Sequence, residues 1–115
     1  MPFEIKQPIT GAIVQVADND FPTEMNWSNA MSACQNLGHG WRLPSIDELN
    51  AMYKQLHMKG KGSFKTGEFD WYWSSSEGDA NVAWSFYFEN GEASSSGYYG
   101  DKDNTKQVRA VRTLP

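Results

Sequence analysis

The chain of 115 residues contains one cysteine, Cys34, and two histidines, His39 and His57. A single cysteine excludes an intramolecular disulfide and a cysteine-based zinc cage, and it fits a reducing compartment. Histidine is too sparse to build much acid–base chemistry. His39 lies between two glycines, and His57 falls at the end of an expected helix, where an imidazole complements the helix dipole. Neither has a serine or cysteine nearby with a nucleophile's local context, so no catalysis is expected. Basic residues are outnumbered, with 10 Lys and Arg against 14 Asp and Glu and a formal charge of −4. A nucleic-acid binder needs a basic face, so no nucleic acid is expected as partner. No apolar run is long enough to cross a membrane as a helix, so membrane insertion is not expected. The opening stretch MPFEIKQPITGA lacks the charged-then-apolar pattern of a secretory signal.

Aromatic residues, by contrast, are abundant: 14% of the chain, with five Trp, five Tyr and six Phe. A chain of this length is expected to form one domain, residues 1–115, and to bury a core without covalent staples. So many rings exceed what so small a core hides, which points to aromatics at a binding surface. Trp41 and Trp84 are assigned to the core. Trp71 and Trp73, sharing one face of a strand with Tyr72 opposite, are assigned there too.

The stretch WRLPSIDEL, 41–49, holds the most local information. Pro44 biases Leu43 away from the helical region. Ser45 and Glu48 then form a capping box, and Asp47 adds negative charge where the dipole favours it. The helix that follows should run from Ile46 to about Leu56, with Ile46, Leu49, Met52, Tyr53 and Leu56 on its apolar side. An earlier helix is predicted from its N-cap Asn26 to Leu37. Its apolar face carries Trp27, Ala30, Met31, Cys34 and Leu37, and Gly38 supplies a left-handed end. Before it lie a brief edge strand around Phe3 and Ile5 and a strand over 10–17. After the helices comes a loop over 58–69, with Lys59, Lys61 and Lys65. Strands follow at 71–76 and 82–89, with a return strand at 92–96 and a closing strand at 107–113. In 82–89, Trp84, Phe86 and Phe88 face one way and Ser85 and Tyr87 the other. Asn90-Gly91 predicts a type I′ hairpin turn with positive φ at both residues. This order gives an α+β domain: two helices flanking a twisted antiparallel sheet in which the termini meet.

These elements carry a resemblance. A Trp-led helix ending in Cys and Leu, then GWRLPS-x-x-EL, YWSSS, AWSFYFENG and VRAVR resembles the Lcl C-terminal-like domain found at the end of bacterial collagen-like adhesins. The likeness covers about residues 11–112. It implies a C-type lectin-like fold, shared with the variable proteins of diversity-generating retroelements and, in fold only, with formylglycine-generating enzymes. The cysteines of that enzyme chemistry, near the end of the chain, are absent here. Relatives often read VRCVR where this chain has Ala110, and Cys34 matches the family cysteine that would pair there. The resemblance thus implies one cross-link fewer, a difference of about 2–4 kcal/mol where the bond exists.

The favoured recognition surface is SSSGYYGDKDN, 94–104. Tyrosine offers stiff contact area, and Ser, Gly and Asn offer adaptable hydrogen bonds. The corresponding region of the retroelement relatives is where ligand-contacting residues vary. The candidate ligand-binding residues are Ser94, Ser96, Tyr98, Tyr99, Asp101, Asp103 and Asn104, bordered by Tyr87, Asn81 and Asp79. The expected partner is a glycan or a protein surface, and no cofactor is needed. Two oxygen-rich turns, Asp18-Asn19-Asp20 and Asp101 to Asn104, have a calcium-like composition without the spacing of a calcium loop, and read as solvated turns. The lysine loop reads as a solvated face. Arg109 or Arg112 is expected to pair with Asp47 or Glu48. The resemblance leaves two alternatives open, a retroelement-diversified display protein and the trimerising tip of a fibre, and is compatible with a cell surface or virion, while the residues leave the compartment open.

Overall fold

The computed structural model describes residues 2–115; Met1, the first residue of the expected domain, lies outside the described residues. The elements run β1 (Phe3–Lys6), β2 (Ile13–Val16), α1 (Trp27–Gln35), α2 (Ile46–Gln55), β3 (Trp71–Glu77), β4 (Ala83–Tyr87), β5 (Glu92–Ser94) and β6 (Val111–Thr113). The class is α+β. In place of one sheet, the strands form two antiparallel three-stranded sheets, β1-β2-β6 and β3-β4-β5. The reason lies in residues 106–110, of which the sequence assigns 106 to the loop and 107–110 to the closing strand. They run between the sheets and touch both. Gln107 exchanges backbone hydrogen bonds with Trp71 and Trp73, while the carbonyls of Val108 and Ala110 accept from Phe21 and Ala17. Chain ends do meet, because β1 and β6 flank β2.

Alternation along this segment sorts two cores. Val108 and Ala110 join a cluster with Ala30, Cys34, Leu43, Trp73 and Ala83. Val111 joins the other, with Ile5, Val14, Leu49, Met52, Tyr72, Phe86 and Phe88. The second helix starts as the sequence dictates. Ser45 accepts from the Glu48 amide and Glu48 accepts from the Ser45 amide. The Glu48 carboxylate also takes a bidentate bond from Arg42, at 2.7 and 2.8 Å. Burial opposes its ionisation, but Arg42 and the Ser45 amide outweigh that and hold the carboxyl below its usual range.

Several expectations change. Glu48 pairs with Arg42, so neither terminal arginine reaches it. Arg109 bonds Asp20 at 2.7 Å, and Arg112 bonds the Gln15 side chain while lying over the Trp41 ring. The Asp18-Asn19-Asp20 turn is therefore not simply solvated, since Asp20 also accepts from the Tyr72 hydroxyl at 2.6 Å. The first helix ends at Gln35, which leaves Leu37 off its apolar face and exposed; Gly38 is left-handed as expected. Trp71 and Trp73 are buried, but Trp41 and Trp84 are only half-buried. His57 packs among the rings of Tyr53, Phe64 and Phe88.

The hairpin after β4 is longer than a type I′ turn. Strand pairing stops at Tyr87 opposite Glu92, and of Asn90 and Gly91 only Gly91 has positive φ. Phe88 is the cause: fully buried against Phe64, with ring centroids 4.1 Å apart, it pulls the chain off the ladder. Gly91 is required on a second ground, as a Cβ there would stand 2.8 Å from the Tyr53 ring.

Candidate functional site

The sheet β3-β4-β5 turns Tyr72 and Phe86 toward one core cluster; on its other face, Trp73 is buried in the second cluster beside Trp71, Ser85 and Tyr87. Residues 97–106 fold over that face, opening with a single 3-10 turn at Gly97–Tyr99. The Ser85 hydroxyl donates to the Tyr99 carbonyl at 2.6 Å, and the Ala83 amide donates to the Gly100 carbonyl. Gly100 packs so tightly that a Cβ would fall 1.9 Å from the Ser95 carbonyl oxygen. The loop is thus fixed by backbone contact at its base.

These anchors set up a row of rings. Trp71 stacks on Tyr87 at 5.0 Å with a 7° interplanar angle and also meets Tyr99 at 4.4 Å. Tyr98 meets Tyr99 edge-on at 5.4 Å. Trp71 is buried, while Tyr98 and Tyr99 remain 46% and 39% exposed. The row therefore runs from a buried indole through Tyr99 to Tyr98, the last two open to solvent.

Beneath Tyr98 lies Lys106, only 1% exposed. Its ammonium donates to the Tyr98 carbonyl at 3.2 Å and sits 4.3 Å from the Tyr98 ring and 5.0 Å from the Trp73 ring. Burial pushes its pKa down to about 8, against the opposing pull of Glu24 and Asp101. The Tyr98 carbonyl also accepts from the Asn104 amide at 2.9 Å.

The structure divides the ten candidate residues. Tyr87, Tyr98 and Tyr99 belong to the ring row. Ser94 and Ser96 bond each other, and Asn104 holds the loop, so these three shape the surface. Asn81, Asp101 and Asp103 line a separate cavity of about 410 Å³, together with Asn26, Trp27 and Lys102. Asp79 caps the neighbouring turn through the amides of Asn81 and Val82. Lys102 bonds Glu77 and the carbonyls of Asp79 and Ala80 and lies over the Trp27 ring, so its charge is met within the chain. The cavity offers carboxylate and amide groups beside an indole, which suits hydrogen bonding to a hydroxyl-bearing ligand. Among the described residues, no three His, Cys, Asp or Glu side chains are grouped to hold a metal ion, and no helix is long and apolar enough to cross a membrane.

With this geometry in place, the sequence comparison is decisive: the model of the Lcl C-terminal domain family matches residues 10–112. The chain belongs to that family. No curated protein matches it. In this Lcl C-terminal domain, sequence reasoning missed Trp27 and Lys102 at the cavity and Lys106 under the loop. A signal for Lys106 existed, because it shares period-two alternation with Val108 and Ala110, both buried.

Proposed function

We propose that the chain is a recognition module without catalysis, a single domain of C-type lectin-like fold that grips a glycan or a protein surface through Tyr98 and Tyr99. The observation that carries this reading is the row Tyr87–Trp71–Tyr99–Tyr98, in which a buried indole backs exposed Tyr99 and Tyr99 meets exposed Tyr98 edge-on. Stiff, pre-positioned rings lose little entropy when a ligand arrives, so their contact area is available for affinity. Membership of a family named for an adhesin-type C-terminal domain supports a binding role over a chemical one.

The test is the double variant Tyr98→Ala/Tyr99→Ala on glycan and protein arrays, with thermal melting in parallel. Binding should fall by about ten-fold or more, the effect of losing contact residues of this kind, with the melting temperature preserved. Binding at the wild-type level would remove the face from consideration.

A further inference from the structure

We propose that the tyrosine face docks a basic protein segment, whose arginine side chains lie along the exposed rings and pair with the carboxylates of Glu68, Glu89 and Glu92. This rests on the recognition reading above and names the partner's chemistry.

Carboxylates border the Tyr87 end of the ring row on two sides. Glu92 on β5 is the cross-strand neighbour of Tyr87, and Glu89 lies in the turn between those strands. On the other side, the Tyr87 hydroxyl donates to the Thr66 carbonyl, which holds the 66–70 turn against the row. That turn carries Glu68, Phe69 and Asp70, and Phe69 is 66% exposed. The carboxylates of Glu89, Glu68, Asp70 and Glu92 all act on the Tyr87 hydroxyl, adding to burial in raising its pKa. Asp70 is already engaged by the Gly67 amide and the Gln107 side chain, whereas Glu68, Glu89 and Glu92 are exposed.

Rings flanked by carboxylates select for guanidinium. Its flat cation stacks on an aromatic face and bonds a carboxylate through two N–H groups at once. The chain already shows that Tyr98 accepts a cation, since Lys106 sits against its ring from within. An anionic glycan would meet repulsion along this margin, and a neutral one would leave the carboxylates unused.

The test uses fluorescence anisotropy with a labelled peptide of alternating glycine and arginine. Comparators are its glutamate counterpart and neutral oligosaccharides, at about 50 mM salt, where surface charges are only partly screened. Wild type should bind the arginine peptide alone. Glu89→Gln/Glu92→Gln should weaken it about ten-fold, as should Tyr98→Ala/Tyr99→Ala. Glu4→Gln/Asp47→Asn, an equal charge change elsewhere, should alter it less than about two-fold. Equal weakening by that control would reduce the effect to net charge and overturn the proposal. So would oligosaccharide binding that the tyrosine variant abolishes and the glutamate variant spares, although the recognition reading would then survive. Binding of any probe untouched by the tyrosine variant would overturn both.

Discussion

Lys106 and Arg109 are both buried cations on one extended segment, yet they are held in opposite ways. Arg109 faces the cluster that contains Phe64, lies 4.5 Å from that ring, and has a carboxylate at 2.7 Å and the Ala17 carbonyl at 3.1 Å. Its carboxylate partner, Asp20, is tied in turn to Tyr72. The result is a closed network joining the 17–20 segment, β3 and the terminal segment. Lys106 faces the other way, with one carbonyl and two ring faces but no carboxylate in hydrogen-bond contact. A paired charge in a network is expensive to break, while an unpaired one is tolerated at a cost. The Arg109 side is thus the frame, and the Lys106 side is a cap laid over the recognition face.

Breaking the frame should give the largest effect. Arg109→Ala leaves Asp20 partly buried without its cation and opens space beside Phe64, and should cost about 3–5 kcal/mol in denaturant unfolding. A loss under about 1 kcal/mol would erase the distinction between the two cations.

Lys106→Met should behave differently. It removes a buried charge while keeping length, so stability at pH 7 should hold or rise by up to about 2 kcal/mol. The pH dependence sharpens the contrast. The folded pKa is about 8 and the ordinary lysine value is 10.5. Between these the unfolded chain binds more protons, so wild-type stability should climb with pH through this window. Below the window the full burden of the buried ammonium applies; above it the burden is gone. The methionine variant should lack the climb, and a climb of equal size in both proteins would assign it to other groups.

The smallest effect belongs to Tyr98→Ala. Nearly half exposed, this ring should contribute under about 1 kcal/mol to folding, and its removal should leave the melting curve almost unmoved. A much larger loss would make Tyr98 part of the frame.

The scaffold was largely legible in the sequence, and for local reasons. Ser45, Glu48 and Pro44 act within a few residues of each other, and the capping box appears where they place it. Asn26 caps α1 for the same reason. What escaped depends on partners distant along the chain. The sequence offers Asp47 or Glu48 to a terminal arginine, but Glu48 is taken by Arg42, six residues before it on the chain. Asn90-Gly91 marked a turn correctly but not its length, which is set by where Phe88 finds its pocket. The two-sheet arrangement was hidden because a run of alternating residues looks the same whether it joins one sheet or stitches two. At the candidate face, composition singles out the two tyrosines; the buried Trp71 against Tyr99 shows only in the tertiary contacts.

The stitching segment also governs when the molecule can form at all. β2 lies between a strand that precedes it in the chain and one that ends at Thr113, with Val14 opposite that last residue. Asp20 likewise waits for Arg109, across a separation of 89 residues. The first hairpin and both helices thus cannot be closed into the fold until residues 106–113 join the two sheets. Folding should therefore be a late, all-at-once event governed by long loop closures, slow for a chain of this size.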